Sequence, residues 1–330
     1  MAVKTSAFSE SRKCETLLFQ EIECMGFSGP LSKMTTHWWA ENEGARTKDA
    51  AELLAWLSSG ATSPVTLCVS YENPGGTLLQ RGQRLSFLHE GRFECVSCGR
   101  DTKKLFDGFC FPCLKGKAQA DTCVMSPHLC HFGAGTCREP EWGLSFCYKP
   151  HFVYLSFTDK FKVGITREPQ VPARWIDQGA TAATLIARVA SRHQAGVLEK
   201  ILTEIISDRS HWSNMLKAGN ARPSANEVLA KSEEIQTFLA THPKVASGSH
   251  LVPFPGDANF QPIEFLPARP VFLEFPLPEL MPLKIASSNL DKSPSLAGEV
   301  LGAKGQYLFF ADAVFNVRRH EGYVVDVDVN

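Results

Sequence analysis

No run of apolar residues approaches the roughly 18 needed to cross a bilayer as a helix, so a helical membrane span is excluded by the sequence. The opening stretch MAVKTSAFSESRKCETLLFQ lacks a long apolar core before a small-residue cleavage site, and no secretory leader is expected. A cytoplasmic, reducing location follows from that, where cysteines rarely serve as structural disulfides. Net charge is almost absent, with 34 basic residues against 35 acidic ones. A histone-like polycation is thereby excluded, and any polyanion must be met by local patches. Charged residues are scarce at 21% beside 44% apolar ones, which argues against disorder. The length of 330 residues suits about two or three domains. Cysteine is missing altogether after position 147.

Up to and including that position the chain carries eleven cysteines. Cys14, Cys24 and Cys68 are scattered and are expected to be plain packing residues. The other eight crowd into one window. Cys95-Val-Ser-Cys98 and Cys110-Phe-Pro-Cys113 are two CxxC knuckles with eleven residues between them. Each knuckle turns two thiolates toward one point, and two knuckles close a tetrahedral four-cysteine zinc site. A redox CxxC is the rival reading, but it does not explain the paired repetition. Cys123, Cys130, Cys137 and Cys147 are spaced less regularly. With His131 they form a candidate second metal site, for zinc or for an iron–sulfur cluster. His131 stands beside Cys130 and suits either ligating or orienting a ligand.

Six stretches follow from composition and pattern. Residues 1–13 read as a flexible tail and 14–92 as a β-rich segment, with strand-like runs at Leu17–Ile22, Val65–Tyr71 and Arg84–Leu88 and a helix near Lys48–Leu57. Residues 93–150 are the cysteine-rich zinc domain, 151–217 an α/β domain and 218–252 a helical connector. Eight prolines between 253 and 282 suggest an extended linker or edge segment, and 253–330 ends in alternating β-like runs. Neither terminal β segment looks able to bury a core alone. The expected class is α+β, with the two terminal segments joined into one small barrel.

The sharpest constellation follows the metal window. Phe152–Phe157 and Phe161–Thr166 read as a hairpin, Pro172–Gln178 as a short helix, Thr184–Val189 as a third strand and Ala195–Ile206 as an amphipathic helix. A three-residue loop at 158–160 would pair Tyr154 with Gly164 and Ser156 with Lys162; a two-residue loop would put Tyr154 and Lys162 on opposite faces. Tyr154, Lys162, Arg174 and Glu199 supply a phenol, an ammonium, a guanidinium and a carboxylate. Metal-assisted phosphodiester cleavage uses these groups: Glu199 to hold Mg2+, Arg174 and Lys162 to neutralise charge, Tyr154 to position or deprotonate water. The bland reading assigns Tyr154 to cross-strand packing and Lys162 and Glu199 to solvated surface.

The order Phe152-Val153-Tyr154, Lys162-Val163-Gly164, Arg174, Glu199 on a β-β-α-β-α pattern resembles the GIY-YIG nuclease superfamily over residues 151–217. The resemblance implies Tyr154 as the water-activating phenol, Arg174 as the phosphate clamp and Glu199 as the metal ligand. Lys162 stands where most members carry tyrosine and some carry lysine. The chain also resembles an uncharacterised domain-of-unknown-function family. The strings are Cys110-Phe-Pro-Cys113, Cys130-His131, Gly135-Thr-Cys137-Arg-Glu-Pro-Glu-Trp-Gly143, Lys162-Val-Gly-Ile-Thr-Arg167, Arg174-Trp-Ile-Asp-Gln-Gly-Ala180 and Lys304-Gly-Gln-Tyr-Leu308.

Local charge agrees with a polyanion partner. Residues 91–117 hold six basic and three acidic side chains, and 159–200 hold seven and four, each a net of +3. Phe93, Phe106, Phe109 and Phe111 interleave the first patch, as in single-strand binders or as a knuckle's mini-core. The leading expectation is a zinc-containing nucleic-acid-binding protein, whose enzymatic form would be a Mg2+-dependent DNA or RNA endonuclease. The alternatives are a non-catalytic zinc-knuckle adaptor for RNA or protein, and an iron–sulfur or redox protein.

Overall fold

In the computed structural model the described residues are 26–42, 45–47, 49–59, 63–247, 262–278 and 285–330. Cys14, Cys24 and the run Leu17–Ile22 lie outside them. Among the described residues three sheets form, and none closes into a barrel.

The largest sheet carries the hairpin. Strands β1 (Phe27–Pro30), β2 (Thr36–Asn42) and β3 (Ala45–Thr47) precede α1 (Ala50–Leu57), whose N-cap Asp49 accepts from the amides of Ala51 and Glu52. β4 (Val65–Tyr71) is buried on both faces, as its apolar run requires of an interior strand. β5 (Arg84–Glu94) and β6 (Asp101–Thr102) lead into the cysteine-rich segment, with α2 (Phe111–Gly116), α3 (Thr122–Met125) and α4 (Pro140–Phe146). Then come β7 (His151–Phe157), β8 (Phe161–Arg167), α5 (Ala173–Asp177), β9 (Ala182–Val189) and α6 (Arg192–Leu202), followed by α7 (Trp212–Lys217), α8 (Ala225–Thr241) and α9 (Pro243–Ser247). Ser224 and Glu227 form a reciprocal capping box at the start of α8.

The remaining strands are β10 (Glu264–Phe265), β11 (Val271–Glu274), β12 (Ser287–Ser288), β13 (Ser295–Glu299), β14 (Gly302–Lys304), β15 (Tyr307–Phe309), β16 (Val314–Asn316) and β17 (Tyr323–Val329). The central sheet runs β3-β2-β4-β11-β9-β7-β8, with β10 also on β9. The proline-rich region therefore contributes an interior strand rather than only an edge: Pro270 and Pro276 flank Val271–Glu274 without interrupting its ladder.

The expected barrel is corrected by the pairing. The terminal strands do meet, since β17 lies between β1 and β5, but the sheet stays open in the order β1-β17-β5-β13. β2, β3 and β4 leave it for the central sheet through the parallel β4–β11 pair. A third, small sheet runs β12-β16-β15-β14. Cys68, buried on β4, is disulfide-bonded rather than a plain packing residue. None of the described helices is long and apolar enough to cross a membrane.

Candidate metal centre and cationic cleft

The two knuckles meet as their spacing requires. The Sγ atoms of Cys95, Cys98, Cys110 and Cys113 all lie within 4.8 Å of one another. A tetrahedron with Zn–S bonds of about 2.3 Å has S···S edges of about 3.8 Å, and Cys98 Sγ lies 3.8 Å from Cys110 Sγ. The Cys110 amide donates to Cys95 Sγ at 3.3 Å. Burial pushes the Cys95 thiol up, but backbone donors from Cys110, Cys98 and Ser97 outweigh it and bring the thiol down to about 6. Burial and the three neighbouring sulfurs push Cys113 up to about 12. Four thiols so close repel once ionised, and a central cation reverses that repulsion. The donor set could hold a metal ion such as zinc.

Cys123, Cys130, Cys137 and Cys147 sit farther along, on α3, after the 3-10 turn Pro127–Leu129, before α4 and at the C-cap of α4. Cys123, Cys130 and Cys147 line one small cavity against Arg192 of α6. His131 is turned toward Asp121, Nε2 to Oδ2 3.4 Å, and its Nδ1 meets Thr136 Oγ1 at 2.8 Å.

The hairpin register is the one a three-residue loop gives: Tyr154 faces Gly164 and Ser156 faces Lys162. β7 is flanked by β9 and β8, and β8 is the sheet's edge. Val153, Leu155, Val163 and Ile165 point to the face covered by α6, where they pack with Ala195, Leu198 and Leu202. The even-numbered residues face the other side. Tyr154 is fully buried there beside Trp175, and its phenol donates to Gln178 Oε1 at 2.8 Å. Burial pushes the phenol up, the Arg174 guanidinium pulls it down and the Glu199 carboxylate adds to the rise. Glu199 itself is pushed up to about 7, first by burial and then by Asp208, against the pull of Arg192 and Arg174. Lys162 is pushed down to about 8, first by burial and then by Arg174. Arg174 thus acts on Tyr154, Lys162 and Glu199, while Lys162 is coupled to neither Tyr154 nor Glu199.

Gly164 makes that arrangement sterically possible. A Cβ on it would sit 2.5 Å from Tyr154 Oη and 2.6 Å from Cζ. Gly164→Ala is therefore expected to destabilise the fold by about 1–3 kcal/mol through overpacking. Urea unfolding of the variant and of Tyr154→Phe checks this; a Gly164→Ala chain as stable as wild type would refute the packing account.

A cavity of about 380 Å³ opens on the Lys162 side of the sheet. Its wall brings together Lys162, Gln178, Trp212, Tyr307, Arg318 and Arg319. The rings of Trp212 and Tyr307 are stacked, with centroids 5.8 Å apart and planes 10° apart. Asp177 also borders the space, but its carboxylate is held by Lys33 and Gln306, each at 2.9 Å. Lys162 is only 8% exposed, and no hydrogen bond or ion pair engages it among the described residues. The cavity is therefore cationic, with an aromatic wall. Gln178, Trp212, Tyr307, Arg318 and Arg319 escape sequence reasoning, although Gln178 and Tyr307 fall inside two of the family strings.

Fold and site define a mixed α+β protein with a four-thiol centre and a separate cationic cleft at a sheet edge. Residues 82–325 match the model of the family described as Protein of unknown function (DUF2797), and the chain belongs to that family. No curated protein and no solved structure matches the chain.

Proposed function

We propose that the protein is a zinc-containing nucleic-acid-binding protein, with zinc at Cys95, Cys98, Cys110 and Cys113 as a structural ion and the Lys162 cleft as the phosphate-contacting surface. The observation that carries this reading is Lys162, a buried cation that no ion pair or hydrogen bond engages among the described residues, in a cavity that also presents Arg318 and Arg319. An unpaired buried charge is costly, and an anionic ligand offsets the cost. The stacked Trp212–Tyr307 wall suits a base beside the phosphate.

Phosphodiester cleavage is the second reading, favoured by the electrostatic action of the Arg174 guanidinium and the Glu199 carboxylate on the Tyr154 phenol. In that reading Glu199, with Asp208 as its neighbouring carboxylate, would hold Mg2+, a cation that supplies charge stabilisation on the phosphate. Arg174 would clamp a phosphate oxygen. Tyr154 is fully buried and hydrogen-bonded to Gln178 in this arrangement, so that bond must open before water reaches the phenol. Binding is therefore the primary conclusion.

Fluorescence anisotropy with single- and double-stranded DNA and RNA tests it. Affinity is expected to fall steeply between about 50 and 200 mM salt, and Lys162→Met to weaken binding and lower the salt slope by about one. Salt-independent binding, or a Lys162→Met chain that binds as wild type does, would overturn the assignment. The same substrates with Mg2+ or EDTA decide the second reading: cleavage by wild type but not by Tyr154→Phe or Glu199→Gln supports it, and equal outcomes refute it.

A further inference from the structure

The phenylalanines around the two knuckles have different surroundings. Phe93 packs edge-on against Tyr323, with ring centroids 4.8 Å apart, and lies 5.0 Å from the His89 ring. Phe109 packs against the buried cluster of Cys95, Cys110 and Cys113. Phe111 does neither. It opens α2, it is 52% exposed, and none of the cores of the described residues takes it in. A single exposed apolar side chain needs no explanation, but Phe111 is part of a continuous strip. Its ring centroid lies 6.1 Å from that of Phe106, with the planes inclined at 54°. Lys115 Nζ sits 4.5 Å from the Phe111 centroid, and Lys104 Nζ sits 5.0 Å from the Phe106 centroid. The order across the surface is ammonium, ring, ring, ammonium. Val96, 51% exposed, borders the turn between the rings, where its amide donates to the Gly108 carbonyl at 2.9 Å.

The charge around the strip is free to meet a ligand. Lys103, Lys104 and Lys115 are exposed, and no ion pair engages them among the described residues. Their cationic neighbours are paired, Arg92 with Asp101 at 3.7 Å and Lys117 with Glu139 at 2.7 Å. Asp107 is the acid within the turn itself. An ammonium over an exposed phenyl ring is held weakly. A nucleobase is the better occupant of such a ring, and any base serves because each has a π-face. Lys115 lies four residues after Phe111, on the same helix face. A base that takes the ring leaves that ammonium free for the adjoining phosphate.

We propose that Phe111, with Phe106, Lys104 and Lys115, is a second nucleic-acid contact that stacks an unpaired base of a single-stranded segment. The inference rests on the nucleic-acid reading above but not on the Lys162 cleft. A duplex keeps its bases stacked on one another, so the strip selects single strands. Its recognition is of base faces and phosphates rather than of sequence.

Fluorescence anisotropy with the zinc-loaded full-length chain tests it, using a labelled oligothymidine strand, an oligouridine strand and a DNA duplex of matched length. Phe111→Leu keeps the apolar volume and removes the stacking face. It is expected to weaken single-strand binding at least about fivefold, to leave duplex affinity within about twofold, and to retain the zinc content of wild type. Phe111→Trp is expected to bind single strands at least as tightly as wild type. Lys104→Ala and Lys115→Ala should each lower the salt slope on single strands by about 0.7. Unchanged single-strand affinity in Phe111→Leu, an equal loss on the duplex, or loss of zinc from that variant would each overturn the proposal. Lys162→Met separates the two surfaces. Weakening confined to Lys162→Met would overturn the strip and leave the cleft standing, and weakening confined to Phe111→Leu would do the reverse. A wild-type chain that binds none of the strands overturns both.

Discussion

Stripping the proposed zinc ion from Cys95, Cys98, Cys110 and Cys113 is expected to unfold residues 95–117 while the rest of the chain stays folded. The reason is the size of what else holds that segment. Its buried cluster consists of Cys95, Cys110 and Cys113 with Phe109 packed against them. The two larger cores take no residue from 95–117. A cluster so small cannot offset the chain entropy of some twenty ordered residues, at about 1–2 kcal/mol each. Zinc binding to comparable short segments supplies about 10–16 kcal/mol. Loss of even a fraction of that should raise proteolysis at Lys103, Lys104 and Lys115 by more than about 100-fold, and should remove amide protection across the segment. Protection in the central sheet should not change. Hydrogen exchange with and without a chelator, with metal content measured in parallel, makes the comparison. Unchanged protection of 95–117 in a demonstrably metal-free chain would show that the segment folds without the ion. Cys113→Ala should behave like the chelated chain, because its sulfur is one of only four donors.

The knuckles and the hairpin were legible because their determinants are local. A CxxC pair orients both sulfurs within one turn. A three-residue loop sets every cross-strand pair behind it, so Tyr154 and Gly164 follow from counting. The cleft was not legible in that way. Lys162 meets Arg318 and Arg319 across more than 150 positions of sequence, and no periodicity reports such a pairing. The alternating Val325, Val327 and Val329 say which face of β17 is buried, not which strands lie beside it. For that reason the terminal strands could be matched to each other while the closure of a barrel was wrongly expected. Proline spacing misled over β11 for a similar reason. Prolines at both ends look like a linker, yet the five residues between them suffice for a four-residue interior strand when both neighbours are already in place.

Lys304 is expected to make stability depend on pH, and Lys304→Met to abolish that dependence. Its side chain is fully buried on β14 and donates to the carbonyls of Met215 at 3.0 Å and Gly219 at 2.5 Å. It thereby ties the small third sheet to the end of α7, which borders the cleft. Burial lowers its pKa to about 7, with Asp159 opposing and Lys162 adding to the fall. In the unfolded chain a lysine titrates near 10.4. Below about pH 7 both states carry the proton, and the full cost of burying the ammonium is present. Between about 7 and 10.4 the unfolded state binds more protons than the folded one, so stability rises with pH. From pH 6 to pH 9 the gain is on the order of 2–3 kcal/mol. Methionine has a similar volume and no charge, but it leaves two carbonyls without a donor, at about 1–3 kcal/mol each. The wild-type advantage over Lys304→Met should therefore grow by about 2–3 kcal/mol across that pH range, since titrations common to both chains cancel. Urea unfolding of the two chains at pH 6 and pH 9 measures the difference directly. A constant gap would mean that the two carbonyls keep Lys304 charged throughout, and a gap that narrows with pH would reverse the sign of the argument.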